Sequence, residues 1–243
     1  MCTLLFRHKP GDPYPLAVLS NRDEHYGRPS GGWEWRSLGT SRDGQAAGPR
    51  IFAPIDLVAG GTWMGLSEAG VLVALTNIFP ERKEEGLHSR GALVLEVLGL
   101  AKAADAPDHI RGSLEARRYN NFNLLVADAK AAFVFVWTED GMESYDLLPG
   151  VYQMANTPYG GTALSDTDEA NEDWMAREAH RLAEHPEVCK HEDEYGTRSS
   201  AKILLNGADP ARSRVWHLEG HPCQGEYRQV LGPEIEHAGQ PAG

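Results

Sequence analysis

Short β-favouring runs recur in pairs along this chain, each pair joined by a turn cluster, and that pairing limits the folds open to it. Leu4 to Arg7 and Pro15 to Leu19 flank Pro10-Gly11-Asp12-Pro13. Thr62 to Ser67 and Val71 to Asn77 flank Glu68-Ala69-Gly70, and Phe122 to Ala127 and Ala132 to Trp137 flank Asp128-Ala129-Lys130. Each reads as a hairpin. Val71 to Leu75 is continuously apolar, as in a strand covered on both faces. Tyr145 to Leu148 and Val151 to Ala155 add two strands, and Ala201 to Leu205 with Arg214 to Leu218 forms a last hairpin. Helical spacing falls between these pairs. It runs through Leu93, Val94, Val97, Leu98 and Ala101 within Arg90 to Ala104, and resumes after Asp105-Ala106-Pro107. A third helix, capped by Ser165-Asp166-Thr167-Asp168, runs towards Glu184. Gly27 to Ala59 reads as a long surface loop with short strands, of the kind that binds or covers. The tail from Gly232 reads as frayed. Hairpins with helices set apart from them predict an α+β fold of antiparallel sheets covered by helical layers. With no linker and no repeat, residues 1–243 read as one domain.

Charge narrows the partners. A net charge of −12 argues against nucleic acid. The chain has no run of about 18 apolar residues, so no membrane span is expected. The apolar stretch Cys2 to Phe6 is followed by Arg7-His8-Lys9-Pro10, the reverse order of a signal peptide. The three cysteines, Cys2, Cys189 and Cys223, have no paired spacing. Neither a disulfide framework nor a metal site is therefore expected, Cys189 and Cys223 read as inert, and the protein reads as reduced and cytoplasmic. Of the histidines only His25 lies near a motif.

Cys2 is where the chemistry concentrates. Once Met1 is trimmed, Cys2 carries both a nucleophilic thiol and a free α-amine with a pKa of about 7.7–8.0, an internal base. The first hairpin returns Asn21-Arg22-Asp23-Glu24 to its neighbourhood. Arg22 is expected to lower the thiol pKa and make Cys2 the most reactive thiol. Asp23 is expected to hold the α-amine through a charge-assisted hydrogen bond. Asn77 and Asn156 each leave an apolar strand and suit an oxyanion. The bland readings stay open beside these. The charged block also reads as a surface salt-bridge turn, and the two asparagines also read as turn residues. Asn120, Asn121 and Asn123 read as structural turn residues.

Cys2, Ser20-Asn21-Arg22-Asp23-Glu24, Gly60-Gly61-Thr62-Trp63, Leu75-Thr76-Asn77, Arg90-Gly91, Tyr119 to Leu124 and Tyr195-Gly196-Thr197-Arg198-Ser199 together resemble the NRDE family. The resemblance implies an N-terminal-nucleophile hydrolase-like fold, a four-layer αββα sandwich. It is similar to the cysteine acylases that cleave penicillin V and conjugated bile salts, and Cys2, Arg22, Asn77 and Asn156 match their pattern. The aspartate that pattern places three residues after the arginine is replaced by His25, and Asp23 stands adjacent instead. Arg198 enters as a substrate-binding candidate through the Gly-Thr-Arg block. Two functions follow. One is hydrolysis of a non-peptide C–N amide by Cys2. The other is binding and trafficking of haem or an acyl-CoA-like lipid in a cleft lined by Trp33, Trp35 and Trp63, with Cys2 or a histidine able to ligate iron. Neither requires a cofactor, though haem is possible as a ligand. An interaction protein with an acidic surface is a third reading.

Overall fold

The computed structural model describes residues 2–40, 43–79, 84–164, 168–184 and 188–233. In chain order the strands are β1 (Thr3–His8), β2 (Leu16–His25), β3 (Ser30–Thr40), β4 (Ala46–Asp56), β5 (Met64–Ser67), β6 (Leu72–Asn77), β7 (Phe122–Ala127), β8 (Ala132–Thr138), β9 (Gly141–Asp146), β10 (Gly150–Met154), β11 (Tyr195–Leu205), β12 (Arg214–Glu219) and β13 (Arg228–Leu231). The helices are α1 (Arg90–Leu98), α2 (Ala106–Ala116) and α3 (Asn171–Glu184).

The strands form two antiparallel sheets. One has six strands in the order β10-β1-β2-β11-β12-β13, and the other seven in the order β3 through β9. The alternation of side chains along each strand divides the apolar residues into three buried layers. Leu4, Phe6 and Val18 from one sheet meet Leu66, Leu72 and Leu125 from the other in the central layer. Val71, Val73, Leu124 and Val126 turn outward onto Leu93, Val94 and Ile110 of α1 and α2. Leu5, Ala17 and Leu19 turn the opposite way onto Trp174 and Met175 of α3. Helix, sheet, sheet, helix is thus the layer order, the αββα sandwich that the resemblance implied.

Three features differ from the sequence reading. Gly27 to Ala59 is no loop: it holds β3 and β4, each of 11 residues, as a long edge hairpin. Register shifts between Gly31 and Glu34 and between Ser37 and Gly39 interrupt the alternation that would mark β3 in sequence. Asn21 to Glu24 do not follow β2 but lie within it, because β11 pairs along their whole length. β13 was not anticipated. The expected cap of the third helix falls on residues 165–167, outside the described residues, and α3 begins at Asn171.

Candidate active site at the N-terminal cysteine

Register places the candidate nucleophile, Cys2. β1 pairs with β2 so that Thr3 sits opposite Asn21, which brings Cys2 level with Arg22 and Asp23. Leu4 and Phe6 face the central layer, and Cys2 continues that row. Its thiol donates to the Asp23 carbonyl oxygen at 3.7 Å. Cys2, Arg22, Asp23, Trp63, Asn77 and Asn156 all border one cavity of about 550 Å³. The constellation read from sequence therefore converges, apart from Trp33 and Arg198.

The same alternation sends neighbouring charges to opposite faces. Arg22 lies in the row of Leu16 and Val18, towards the second sheet. Its guanidinium stacks 4.3 Å over the Trp63 ring, and Nη2 stands 3.9 Å from Glu24 Oε2. Nη1 is buried without a hydrogen-bond partner among the described residues. Asp23 lies in the row of Ala17 and Leu19. Thr197 donates its hydroxyl to Asp23 Oδ1 at 2.7 Å and accepts from Lys190 N at 2.9 Å. Tyr195 donates its hydroxyl to the Asp23 carbonyl at 3.0 Å, the same oxygen that Cys2 addresses.

The charge of Arg22 lowers the Cys2 pKa as expected, but larger effects outweigh it. Burial, joined by the nearby Asp23 carboxylate, pushes the Cys2 thiol above its ordinary range despite the hydrogen bond to Asp23 and the charge of Arg22. Arg22 spends its charge on Glu24 and its face on Trp63, and desolvation of the thiolate outweighs it. Burial thus favours the neutral thiol over the thiolate. Burial also raises the Asp23 carboxyl, against the lowering effect of the Thr197 hydrogen bond.

The two asparagines join the sheets at the cavity. Asn156 Nδ2 donates to the main-chain carbonyl of Asn77, which leaves its second amide hydrogen for another acceptor. Asn123 holds this arrangement. It is not a turn residue but a fully buried position in β7. Its Nδ2 donates to Thr76 Oγ1 at 3.0 Å, Ala155 O at 3.1 Å and Thr157 O at 2.9 Å, while its Oδ1 accepts from Tyr159 N at 2.9 Å.

Trp33 and Trp35 do not border the cavity. Both tilt onto Phe52, with ring centroids 5.5 and 5.4 Å away, because residues two apart on β3 share one face. Arg198 sits at the register shift of β11. It donates to the Tyr26 carbonyl and stands 3.7 Å from Glu219, away from the cavity lining. Thr197 is the member of the Gly-Thr-Arg block that reaches the site. Sequence reasoning missed it, and also missed Arg90, Arg28 and Asp56. Arg90 starts α1, lines the cavity and donates to the Asn121 carbonyl at 2.8 Å. Arg28 and Asp56 form a 2.7 Å ion pair on the cavity wall. Arg90-Gly91 stood among the family blocks, which was the available signal. His25 and His88 also line the cavity. Outside that lining, Cys189 and Cys223 are not unrelated inert thiols, because their sulfurs lie 3.1 Å apart.

A family profile described as "Transport and Golgi organisation 2" matches residues 1–175. The chain belongs to the transport and Golgi organisation 2 family. This is the group named above for its Asn-Arg-Asp-Glu block. A homologue from Bos taurus is 26% identical over 284 residues, covering 91% of this chain and 98% of that protein. Among solved structures, the Caenorhabditis elegans orthologue of N-acylethanolamine-hydrolysing acid amidase superposes with a TM-score of 0.52 at 13% identity, covering 89% of this chain and 100% of that one. Penicillin V acylase from Agrobacterium tumefaciens gives 0.50 at 13% identity, covering 94% and 86%. At such identities the likeness is one of fold, that of N-terminal-nucleophile hydrolases. Among the described residues no helix is long and apolar enough to cross a membrane.

Proposed function

We propose that this chain is an N-terminal cysteine hydrolase of non-peptide C–N amide bonds, with Cys2 as nucleophile after removal of Met1. The observation that carries the reading is one cavity bordered by Cys2, Arg22, Asn77 and Asn156 together. A neutral buried thiol needs a base at the moment of attack, and the freed α-amine of Cys2 is attached to the same residue. In the first step sulfur bonds to the carbonyl carbon while its proton passes to the amine. The oxyanion takes hydrogen bonds from the Asn77 and Asn156 carboxamides. The C–N bond then breaks, and the ammonium returns the proton to the departing amine. Water next attacks the thioester with the amine again as base, the S–C bond breaks, and the acid product leaves with the thiol restored. Arg22 keeps positive potential beside the sulfur, and Thr197 fixes Asp23 where it can orient the amine.

Intact-mass measurement with and without an acylating probe tests this. The expected result is loss of Met1 and one acyl adduct on Cys2, absent in Cys2→Ala. Retention of Met1 in protein purified from its natural host would count against the mechanism. The Trp63 face and the cavity volume also suit a carrier of haem or an acyl-CoA-like lipid in the cytoplasm. If no amide is turned over while wild type, Cys2→Ser and Cys2→Ala bind haem or acyl-CoA alike, the carrier reading replaces the enzyme.

A further inference from the structure

Two short segments of mirrored composition meet behind the candidate site. Cys189-Lys190-His191 precedes β11, and His221-Pro222-Cys223 follows β12. β11 and β12 are paired with Ser199 opposite Glu219, so the start of one and the end of the other lie at the same end of the sheet. Cys189, His191 and His221 converge there, and Cys223 adjoins the first two. Cys189 Sγ is 3.1 Å from Cys223 Sγ and 3.5 Å from His191 Nε2, and His191 Nε2 is 3.1 Å from Cys223 Sγ. One ligand atom from each of Cys189, His191 and His221 lies within 4.8 Å of the others.

We propose that Cys189, His191, His221 and Cys223 form a tetrahedral Zn²⁺ site that fastens these two segments together. The donor set fits: two thiolates and two imidazoles are ligands of structural zinc. The spacing fits as well. Zn–S bonds of about 2.3 Å and Zn–N bonds of about 2.0–2.1 Å in a tetrahedron set ligand atoms roughly 3.3–3.8 Å apart. The 3.5 Å between Cys189 Sγ and His191 Nε2 matches the thiolate–imidazole value, whereas the 3.1 Å separations of Cys223 from Cys189 and His191 are shorter, and side-chain rotation opens them when the ion binds. His221 supplies a further observation. Its Nδ1 is buried without a hydrogen-bond partner among the described residues. Binding displaces both thiol protons and leaves Zn²⁺ unchanged in oxidation state. A Cys189–Cys223 disulfide would use the same sulfurs and leave both imidazoles without a role.

The site has a consequence for the cavity, although it stands independently of the hydrolase reading. Lys190, between two ligands, donates its N–H to Thr197 Oγ1 and accepts at its carbonyl from Thr197 N at 3.0 Å. Thr197 in turn holds Asp23. Zinc would brace the support of Asp23 from behind.

The test uses the full-length, tag-free chain, reduced, loaded with Zn²⁺ and passed over a chelating resin. About one equivalent of zinc per chain is expected by elemental analysis. Replacement by Co²⁺ should give the intense visible bands of a tetrahedral ion with thiolate-to-metal charge transfer in the near ultraviolet. Cys223 is exposed, so Cys223→Ser should fold and should weaken Zn²⁺ binding more than the roughly 10–100-fold that loss of a supporting group costs. Cys2→Ser should bind as wild type does. Zinc washed away from reduced wild type, or a Co²⁺ spectrum unchanged by both Cys223→Ser and His221→Ala, would overturn the proposal. So would recovery of a Cys189–Cys223 disulfide from protein that never retains zinc, which would make the cluster a redox pair.

Discussion

Asn123→Leu should cost far more stability than the substitution of one side chain of similar volume normally does. Asn123 shares its two amide hydrogens among Thr76 Oγ1 and the Ala155 and Thr157 carbonyls, and it accepts from Tyr159 N. Leucine fills the space but offers no polar atom. Thr76 can rotate its hydroxyl, so the groups left without a partner are two main-chain carbonyls and one main-chain N–H. An unsatisfied buried group costs about 1–3 kcal/mol. At the lower half of that range the three sum to about 3–6 kcal/mol. A domain is stable by only about 5–15 kcal/mol, so the variant should lie near the edge of folding, with Tm lowered by roughly 10 °C. Urea denaturation followed by circular dichroism measures this. Asn120 is the control: it makes the same kind of bonds, accepting from Glu84 N and donating to Glu84 O, but at the surface. Asn120→Ala should cost under about 1 kcal/mol. If Asn123→Leu also stays within about 1 kcal/mol of wild type, the amide is not what staples residues 155–159 onto β6 and β7. Asn156 would then be positioned by something else.

Other outcomes follow from the same geometry. Gly61→Ala should destabilise by about 2–3 kcal/mol in thermal melts, because its Cβ would stand 2.5 Å from the Gly91 carbonyl carbon at the start of α1; a melt within error of wild type refutes that close approach. In metal-free protein at pH 7, iodoacetamide should label exposed Cys223 before Cys2, since burial holds Cys2 as a thiol and the thiolate is the nucleophile; peptide mapping that finds Cys2 first reverses this. Asp23→Asn keeps an acceptor for Thr197 and removes a carboxyl whose pKa burial has raised. An acid with a raised folded pKa destabilises the fold while ionised. The variant should therefore gain Tm at pH 7, and the gain should shrink as the pH falls through the raised pKa. A gain that grows towards acid pH contradicts the assigned shift.

Legibility in the sequence followed the local strength of each pattern. β5 to β8 were readable because their apolar, β-favouring runs and the turns between hairpin partners are clean, and pairing them in order already gives most of the second sheet. β3 was not, because its register shifts hide the alternation that puts Trp33 and Trp35 on one face. The proximity of Cys2 to Arg22 and Asp23 followed from hairpin geometry. Which face each charge takes did not, since that depends on β2 continuing through the block instead of turning away. Asn123 was misread because a polar residue beside a strand usually belongs to a turn. Only the arrival of residues 155–159 from the other sheet makes it a buried clamp. Thr197 and the Cys189–Cys223 pair depend on β11 lying between β2 and β12, a long-range pairing that no local window contains.

The proton inventory distinguishes this site from one built around a preformed thiolate. A thiolate site lowers its sulfur pKa with an unshared cation. Here Arg22 is itself stacked on Trp63 and leans on Glu24, and the sulfur pKa is raised. With a neutral thiol, rate depends on a base whose pKa lies near the working pH and which moves with the sulfur. A free α-amine on Cys2 has both properties, whereas the amide that Met1 forms with it has neither. Activity against amides should therefore appear only in the fraction of molecules whose mass lacks Met1, and it should rise with pH through the amine's range, about 7.7–8.0, ahead of any ionisation of the thiol. Equal turnover by protein that retains Met1 would show that another group takes the proton, and the histidines of the cavity lining, His25 and His88, would be the ones to replace next.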